Sequence, residues 1–285
     1  MTHIIDGKTI AAQIKEDLKH RVGTLESQPG LAVILVGDDP ASKVYVGNKI
    51  KACEAVGIKS YESRLPAQAT QGEILAEIKA FNDNKHVHGI LLQLPVPDHL
   101  DSEALVQSIA AEKDVDGLSI TNAGKLILGH TDGLVPCTPQ GSLRLIKSVK
   151  DDLTGLNAVV IGRSNLFGKP MAQLLLRENC TVTMAHSRTR NLDEICRGAD
   201  ILVAAVGRAK MVKGDWIKDG AIVIDVGINR MDDGKLCGDV DFDAAKDKAF
   251  AITPVPGGVG PMTIACLLEN TVKAFETQDK DSLAA

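Results

Sequence analysis

Short apolar runs alternate with amphipathic stretches along almost the whole chain. "LAVILVG" (31–37), a weaker segment at 58–65 and "VHGILLQLP" (87–95) form one set; "AVVIG" (158–162), "TVTMAH" (181–186), "ILVAAVG" (201–207) and "AIVIDVG" (221–227) form another. These are largely continuous runs, as expected for strands covered by helices on both faces. The alternation predicts an α/β protein built on parallel sheets. Between the sets, residues 114–141 ("DVDGLSITNAGKL" to "GHTDGLVPCTPQG") are dense in Gly, Asp, Thr and Pro and lack apolar periodicity. They read as a linker lining a cleft. After the last strand, "PVPGGVGPMTIACLLENTVKAF" predicts a turn that opens a helix at Pro261, where proline is tolerated in the first turn. The domains expected are 1–122 and 123–261, with the helix 262–285 packing back on the first.

Length supports the division, because a single core stops growing near ~250–300 residues and the chain has 285. A 44% hydrophobic and 24% charged composition is that of an ordinary globular protein. Eight aromatic residues (five Phe, two Tyr, one Trp) and a net charge of −5 argue against a nucleic-acid partner. No apolar run reaches the ~18 residues that cross a bilayer, and "MTHIIDGKTI" lacks the basic start and apolar stretch of a signal peptide. A cytoplasmic protein with no membrane partner is expected. The six cysteines contain no C-x-x-C, and His86 and His88 have no third ligand at metal spacing, so reduced thiols and no metal are expected.

Chemistry concentrates first in "VVIGRSNLFGKP" (159–170), between a strand and a helix. A dinucleotide fingerprint starting at Gly162 would want glycine where Ser164 and Phe167 stand, and a P-loop would want a hydroxyl where Pro170 stands. NTP hydrolysis is disfavoured, because Pro170 offers no ligand to Mg2+. The strand-turn-helix-strand context still suits a dinucleotide, with the helix N–H groups free to face a phosphate; a plain βα turn is the alternative. The next strand ends in "AHSRTR", giving His186, Ser187, Arg188 and Arg190 with no carboxylate before Asp193. NAD sites usually place an acid near this point and NADP sites a cation, so the sequence favours NADP. A solvated basic loop is the competing reading for each arginine.

In the first half, "ASKVYVGNKIKACEAVG" (41–57) reads as a helix with Val46, Ile50 and Cys53 inward and Tyr45 and Lys49 paired on the flank. A lysine bordering an apolar face can lose solvation, which lowers its pKa toward a range useful for proton transfer. It can equally snorkel to solvent. Gln93 interrupts an apolar strand before two prolines and needs a partner, which backbone or a ligand could supply. Asp116 sits in an Asp-Gly turn.

Together, "YVGNK", "QLPVP", "KDVDG", "PCTPQG", "VVIGRSNLFGKP", "AIVIDVGIN", "GDVDF" and "TPVPGGVGPMT", in this order over residues 3–277, resemble the bifunctional methylenetetrahydrofolate dehydrogenase/cyclohydrolases. The resemblance implies an N-terminal folate-binding catalytic domain and a Rossmann-like NADP domain. Its reaction would oxidise 5,10-methylenetetrahydrofolate with NADP+ and hydrolyse the methenyl product to 10-formyltetrahydrofolate. It puts Tyr45, Lys49, Gln93 and Asp116 at catalytic and folate-binding positions, with Pro256, Gly257 and Gly258 closing the substrate cleft. It assigns Gly162, Arg163, Ser164, Ser187, Arg188 and Ile228 to NADP, and it implies a homodimer through the cofactor-domain side. A shikimate-type two-domain NADP dehydrogenase and a non-catalytic NADPH-responsive binding protein are the alternatives.

Overall fold

The computed structural model describes residues 2–284. The chain begins with β1 (His3–Ile4), α1 (Gly7–Gly23), β2 (Gly30–Val36), α2 (Pro40–Val56), β3 (Lys59–Leu65), α3 (Gln71–Asp83), β4 (Gly89–Leu92) and α4 (Ser102–Gln107). Next come α5 (Ile120–Ile127), α6 (Cys137–Lys147), β5 (Asn157–Ile161), α7 (Gly168–Arg177), β6 (Thr181–Ala185), α8 (Leu192–Arg197), β7 (Ile201–Ala204) and β8 (Ile222–Asp225). A hairpin of β9 (Asn229–Arg230) and β10 (Leu236–Cys237) precedes α9 (Phe242–Ala245), β11 (Ala251–Ile252) and α10 (Val259–Ala284). Two compact units result: residues 13–137 with 264–285, and residues 1–12 with 138–263.

The first unit is organised by β2, which pairs in parallel with β3 on one side and β4 on the other. Every residue of β2 is buried, so its two faces need separate apolar cover. Leu31, Val33 and Leu35 point into one cluster with Val46, Cys53 and Val56 of α2 and Leu267, Leu268 and Val272 of α10. Ala32, Ile34 and Val36 point into the other, with Ile74 and Ile78 of α3 and Leu105 of α4. The period of two along one strand thus assigns the helices to layers. Asp39 starts α2 by accepting the Ser42 N–H at 2.7 Å, and Gly57, at φ 84°, ends it in the left-handed conformation that favours glycine. Thr70 and Glu73 form a reciprocal capping box at the start of α3.

Two expectations about boundaries give way. The stretch 114–141 contains α5 and the start of α6, and the first unit continues to residue 137, past the expected boundary at 122. Side-chain amides bind this stretch into the unit. Asn122 donates to the Ala111 carbonyl (2.8 Å) and the Asp114 carboxylate (3.0 Å) while accepting from Leu134 N–H (3.1 Å). Asn270 of α10 donates to the carbonyls of Val115 and Val135, each at 2.8 Å. Residues 1–12, expected in the first domain, belong to the second unit. The reason is β1, which lies parallel to β11 and is held by His3 N–H to Phe250 (2.8 Å) and Ile5 N–H to Ile252 (2.9 Å).

The second unit carries a six-stranded parallel sheet in the order β1-β11-β8-β7-β5-β6. From β5 the chain moves outward to β6, then returns to the other side of β5 for β7 and β8. The order reverses between β5 and β7, and outside the carboxyl ends of such a strand pair doubly wound sheets bind their ligands. β7 (ILVA) and its neighbour β8 (IVID, ending in the buried Asp225) are buried along all four residues.

Replacing Ile34, fully buried in the α3-side cluster, by Ala is expected to cost about 2–5 kcal/mol. A fall in the denaturant midpoint checks this, whereas Val44→Ala, at a side chain 62% exposed, should leave it nearly unchanged.

Candidate active site

Lys49 is a core residue of α2. The buried stripe of that helix is Ser42, Val46, Lys49, Cys53 and Val56, so the lysine occupies the stripe itself and Ile50 lies beside it, the reverse of the sequence expectation. Only 6% of Lys49 is exposed. Its Nζ donates to Gln93 Oε1 at 3.0 Å and lies 5.9 Å from the centre of the Tyr45 ring. Gln93 follows β4 directly; its backbone N–H donates to Ile34 and its Nε2 to the Leu94 carbonyl at 2.6 Å. With its amide anchored at both ends, Gln93 presents one oxygen to the lysine. Tyr45 is 39% exposed.

The "KDVDG" turn divides its charges. Lys113 caps the end of α3, donating to the carbonyls of Phe81 (3.3 Å), Asn82 (2.7 Å) and Asn84 (3.0 Å). Asp114 accepts Ser119 N–H at 2.7 Å and the Asn122 amide. Asp116 has the Cys137 thiol as a side-chain hydrogen-bond partner. Burial raises its carboxyl pKa, the Lys49 charge opposes that shift, and Asp114 adds to it. Gly117, at φ 68°, allows the turn to lie against residues 134–136, where a Cβ would stand 2.6 Å from Pro136 N. Burial likewise pushes the Cys53 thiol up to about 12 and the Cys137 thiol well above its ordinary value, so neither is a ready nucleophile. His88 is committed elsewhere, its Nδ1 accepting Gly30 N–H at 3.0 Å. Among the described residues no group of three His, Cys, Asp or Glu could hold a metal ion.

In the second unit, Gly162 (φ 132°) ends β5, and a Cβ there would stand 2.4 Å from the Ala205 carbonyl oxygen. Gly168 is equally constrained, with 2.2 Å to Gly162 O. The helix start differs from expectation. Phe167 and Gly168 N–H donate to Ser164 Oγ at 3.1 and 3.4 Å, Lys169 N–H donates to Ser164 O at 3.1 Å, and Pro170 has no N–H. Ser164 therefore consumes the donors that the sequence reading offered to a phosphate, while its own hydroxyl hydrogen has no acceptor among the described residues. "AHSRTR" forms a tight turn in which His186 N–H donates to Thr189 Oγ1 (2.8 Å) and Arg188 N–H to His186 Nδ1 (3.1 Å). Ser187, Arg188 and Arg190 are exposed, as is Arg163, and no ion pair engages these arginines among the described residues. Ile228, 52% exposed, follows β8. Pro256 is exposed, whereas Gly257 (φ 108°) and Gly258 make a turn against which α1 starts: a Cβ on Gly7 would meet Gly258 O at 1.8 Å.

Sequence reasoning missed a buried carboxylate pair. Asp225 and Asp239 are 3% and 0% exposed, and neither carries a sequence signal beyond its place in "DVG" and "GDV". Burial raises Asp225 to about 7 despite hydrogen bonds from Val240, Asp239 and Gly227 N–H, and the neighbouring Asp239 charge adds to the rise.

A doubly wound parallel sheet with exposed, unpaired cations beside its switch point, joined in sequence to an α/β unit that buries an amine on an amide, defines a two-unit dinucleotide-dependent enzyme. Comparison with known proteins narrows the class. Residues 5–116 match the tetrahydrofolate dehydrogenase/cyclohydrolase catalytic domain and residues 136–279 its NAD(P)-binding domain. The chain belongs to the tetrahydrofolate dehydrogenase/cyclohydrolase family. It is 59% identical to the "Bifunctional protein FolD" of Dinoroseobacter shibae, over 95% of this chain and 94% of that one. It superposes with a TM-score of 0.96 and 49% identity on the bifunctional FolD methylenetetrahydrofolate dehydrogenase/cyclohydrolase of Campylobacter jejuni, covering 98% and 100% of the two chains. For the Trypanosoma brucei methylenetetrahydrofolate dehydrogenase-cyclohydrolase, solved with NADP cofactor and inhibitor, the TM-score is 0.93 at 39% identity, covering 97% and 98%.

The raised Asp225 carboxyl makes stability pH-dependent. Its folded value of about 7 lies above an unfolded value near ~3.9, so the stability it contributes is complete below the unfolded value and is lost as pH rises through the folded one. The groups facing it are Asp239 and, around a shared cavity of about 480 Å³, Lys210, Asp233, Lys235 and Asp243. Denaturant midpoints measured from pH 5 to 8 should fall more steeply in the wild type than in Asp225→Asn.

Proposed function

We propose that Lys49 carries the proton traffic of a two-step folate reaction, with Gln93 holding its amine, Tyr45 contacting the pterin and Asp116 accepting hydrogen bonds from the pterin amino and ring N–H groups. The activity is that of the family: 5,10-methylenetetrahydrofolate is oxidised to 5,10-methenyltetrahydrofolate with NADP+, and the product is hydrolysed to 10-formyltetrahydrofolate. The observation that carries the residue assignment is a lysine amine within a buried helix stripe, bonded at 3.0 Å to a neutral amide oxygen. The amine is held in a fixed position by an amide that does not itself titrate, which suits a group that must be in reach of the proton it transfers.

The second unit fits NADP. The Cβ-free positions at 162 and 168 let backbone close in beside the switch point, the Ser164 hydroxyl is a donor for an anion, and Arg163 and Arg188 supply cations for phosphate. Ser187 and Ile228 complete the contacts assigned to the nucleotide, and Pro256, Gly257 and Gly258 belong to the substrate side. When bound, NADP+ accepts the hydride from the one-carbon bridge, a step governed by orientation. Hydrolysis then adds a water oxygen to the bridge carbon and opens its bond to N5. Two protons leave that oxygen, one for N5 and one for solvent. Lys49 is the group placed to relay them, and the Gln93 oxygen keeps its amine aimed while it changes protonation. Arriving pterin N–H donors stabilise the Asp116 carboxylate against the burial that raises its pKa.

The two family matches, over 5–116 and 136–279, displace a shikimate-type dehydrogenase and a non-catalytic NADPH-responsive protein. The reading extends to a cytoplasmic homodimer formed through the cofactor-domain side, with neither nucleic acid nor membrane as partner; among the described residues no helix is long and apolar enough to cross a membrane.

Lys49→Met should lower methenyltetrahydrofolate hydrolysis by about 100-fold or more with NADP binding intact; a spectrophotometric hydrolysis assay on supplied methenyltetrahydrofolate, paired with nucleotide titration, decides the point. Arg188→Ala should weaken NADP by about 10-fold or more and NAD much less, as read from KM for each nucleotide. Equal effects on the two would remove the 2'-phosphate assignment.

A further inference from the structure

Asp225 and Asp239 interlock in the second unit, and among the described residues none of their hydrogen-bond partners is a cationic side chain. Asp239 accepts the N–H groups of Val206 (2.6 Å), Gly207 (3.0 Å) and Arg208 (2.7 Å) and the Asn229 side-chain amide (3.0 Å). Asp225 accepts Gly227 N–H at 3.1 Å and Asp239 N–H at 2.9 Å on one oxygen, and Val240 N–H at 2.8 Å on the other. Each carboxylate fills the space of a missing side chain. A Cβ on Gly238 would lie 1.8 Å from Asp225 Oδ2, and one on Gly227 would lie 2.3 Å from Asp239 Oδ1.

What these groups hold lies at the carboxyl ends of strands. Residues 206–208 follow β7, the strand across the switch point from β5, and the preceding residue, Ala205, touches the glycine turn at Gly162. Residues 227–229 follow β8 and carry Ile228. Two buried carboxylates are a costly way to stabilise a fold, since apolar side chains of similar volume often serve as well or better. What carboxylates supply is a set of convergent acceptors that impose one conformation on three successive N–H groups.

We propose that Asp239 is a positioning residue for the dehydrogenase step: its carboxylate fixes the 206–208 turn and Asn229, and through them the nucleotide-binding surface beside the glycine turn, while Asp225 holds Asp239 in place. This inference rests on the reading of the second unit as the NADP unit. An asparagine at 239 would turn an amide donor toward backbone donors, so at least one N–H would lose its acceptor. The hydrolytic step needs no nucleotide and should be insensitive to this change.

The experiment uses the full chain carrying Asp239→Asn or, as a milder change that keeps both carboxylates, Asn229→Ala. Dehydrogenase kinetics are measured against NADP+, and hydrolysis is measured on supplied methenyltetrahydrofolate without nucleotide, after circular dichroism has verified the fold. Losing a buried acceptor is worth about 10- to 100-fold, so Asp239→Asn should lower kcat/KM for NADP+ by that factor, mostly through KM. Asn229→Ala should lower it several-fold, with hydrolysis in both variants within twofold of wild type. Unchanged NADP+ kinetics, or equal losses in both reactions, would overturn the assignment, and if Asp239→Asn does not fold, Asn229→Ala alone decides by the same criteria. Wild-type chain without NADP+ turnover would instead overturn the functional reading itself.

Discussion

A parallel sheet has to be covered on both faces, and in this protein that constraint sends the chemistry to the strand ends. β2 is buried along its whole length, with α2 and α10 over one face and α3 and α4 over the other. Polar side chains have no room along such a strand. Gln93 stands one residue past the end of β4, the glycine turn follows β5, the 206–208 turn follows β7, and Ile228 follows β8. Lys49 is the exception, entering the core from a covering helix, and it is tolerated there because Gln93 waits at a strand end to bond it.

The buried polar groups are accommodated in different ways. Lys113 is surrounded by three carbonyls at the end of α3, an arrangement that satisfies every ammonium hydrogen and leaves nothing for a substrate. Asn122 and Asn270 stitch the 114–137 stretch to the first unit by bonding backbone on both sides of Asp116. Lys49 has one hydrogen-bond acceptor among the described residues, the Gln93 amide oxygen, which leaves two of its ammonium hydrogens without one.

Which features were legible in the sequence follows from the same physics. β2, β4, β5, β7 and β8 were visible as apolar runs, because burial on two faces removes the polar alternation that could disguise them. α5 was not visible: it is eight residues long, and Ile120 and Ile127 are 71% and 63% exposed while Leu126 is its one large buried apolar side chain, so its apolar positions mark no buried stripe. β1 and β11 are two residues each, shorter than any periodicity can register, and with β1 unseen the first twelve residues went to the wrong unit. The Tyr45–Lys49 pair was found, but its rotation was not, because a lysine at a core position looks like a flank residue until its partner is known. Asp225 and Asp239 gave no signal at all, being fourteen residues apart and indistinguishable from ordinary turn acids.

By itself the sequence determined the α/β class, the two-part organisation and the family, since these depend on local apolar runs and on motifs whose order survives without coordinates. The tertiary structure decided where the units divide, which donors at the start of α7 are already used by Ser164, that Lys49 lies inside the core, and that two distant aspartates share one cradle of N–H groups. The physical reason is range. Propensity and periodicity act over a few residues, whereas the burial and hydrogen-bond satisfaction of a polar group depend on partners that only folding brings within 3 Å.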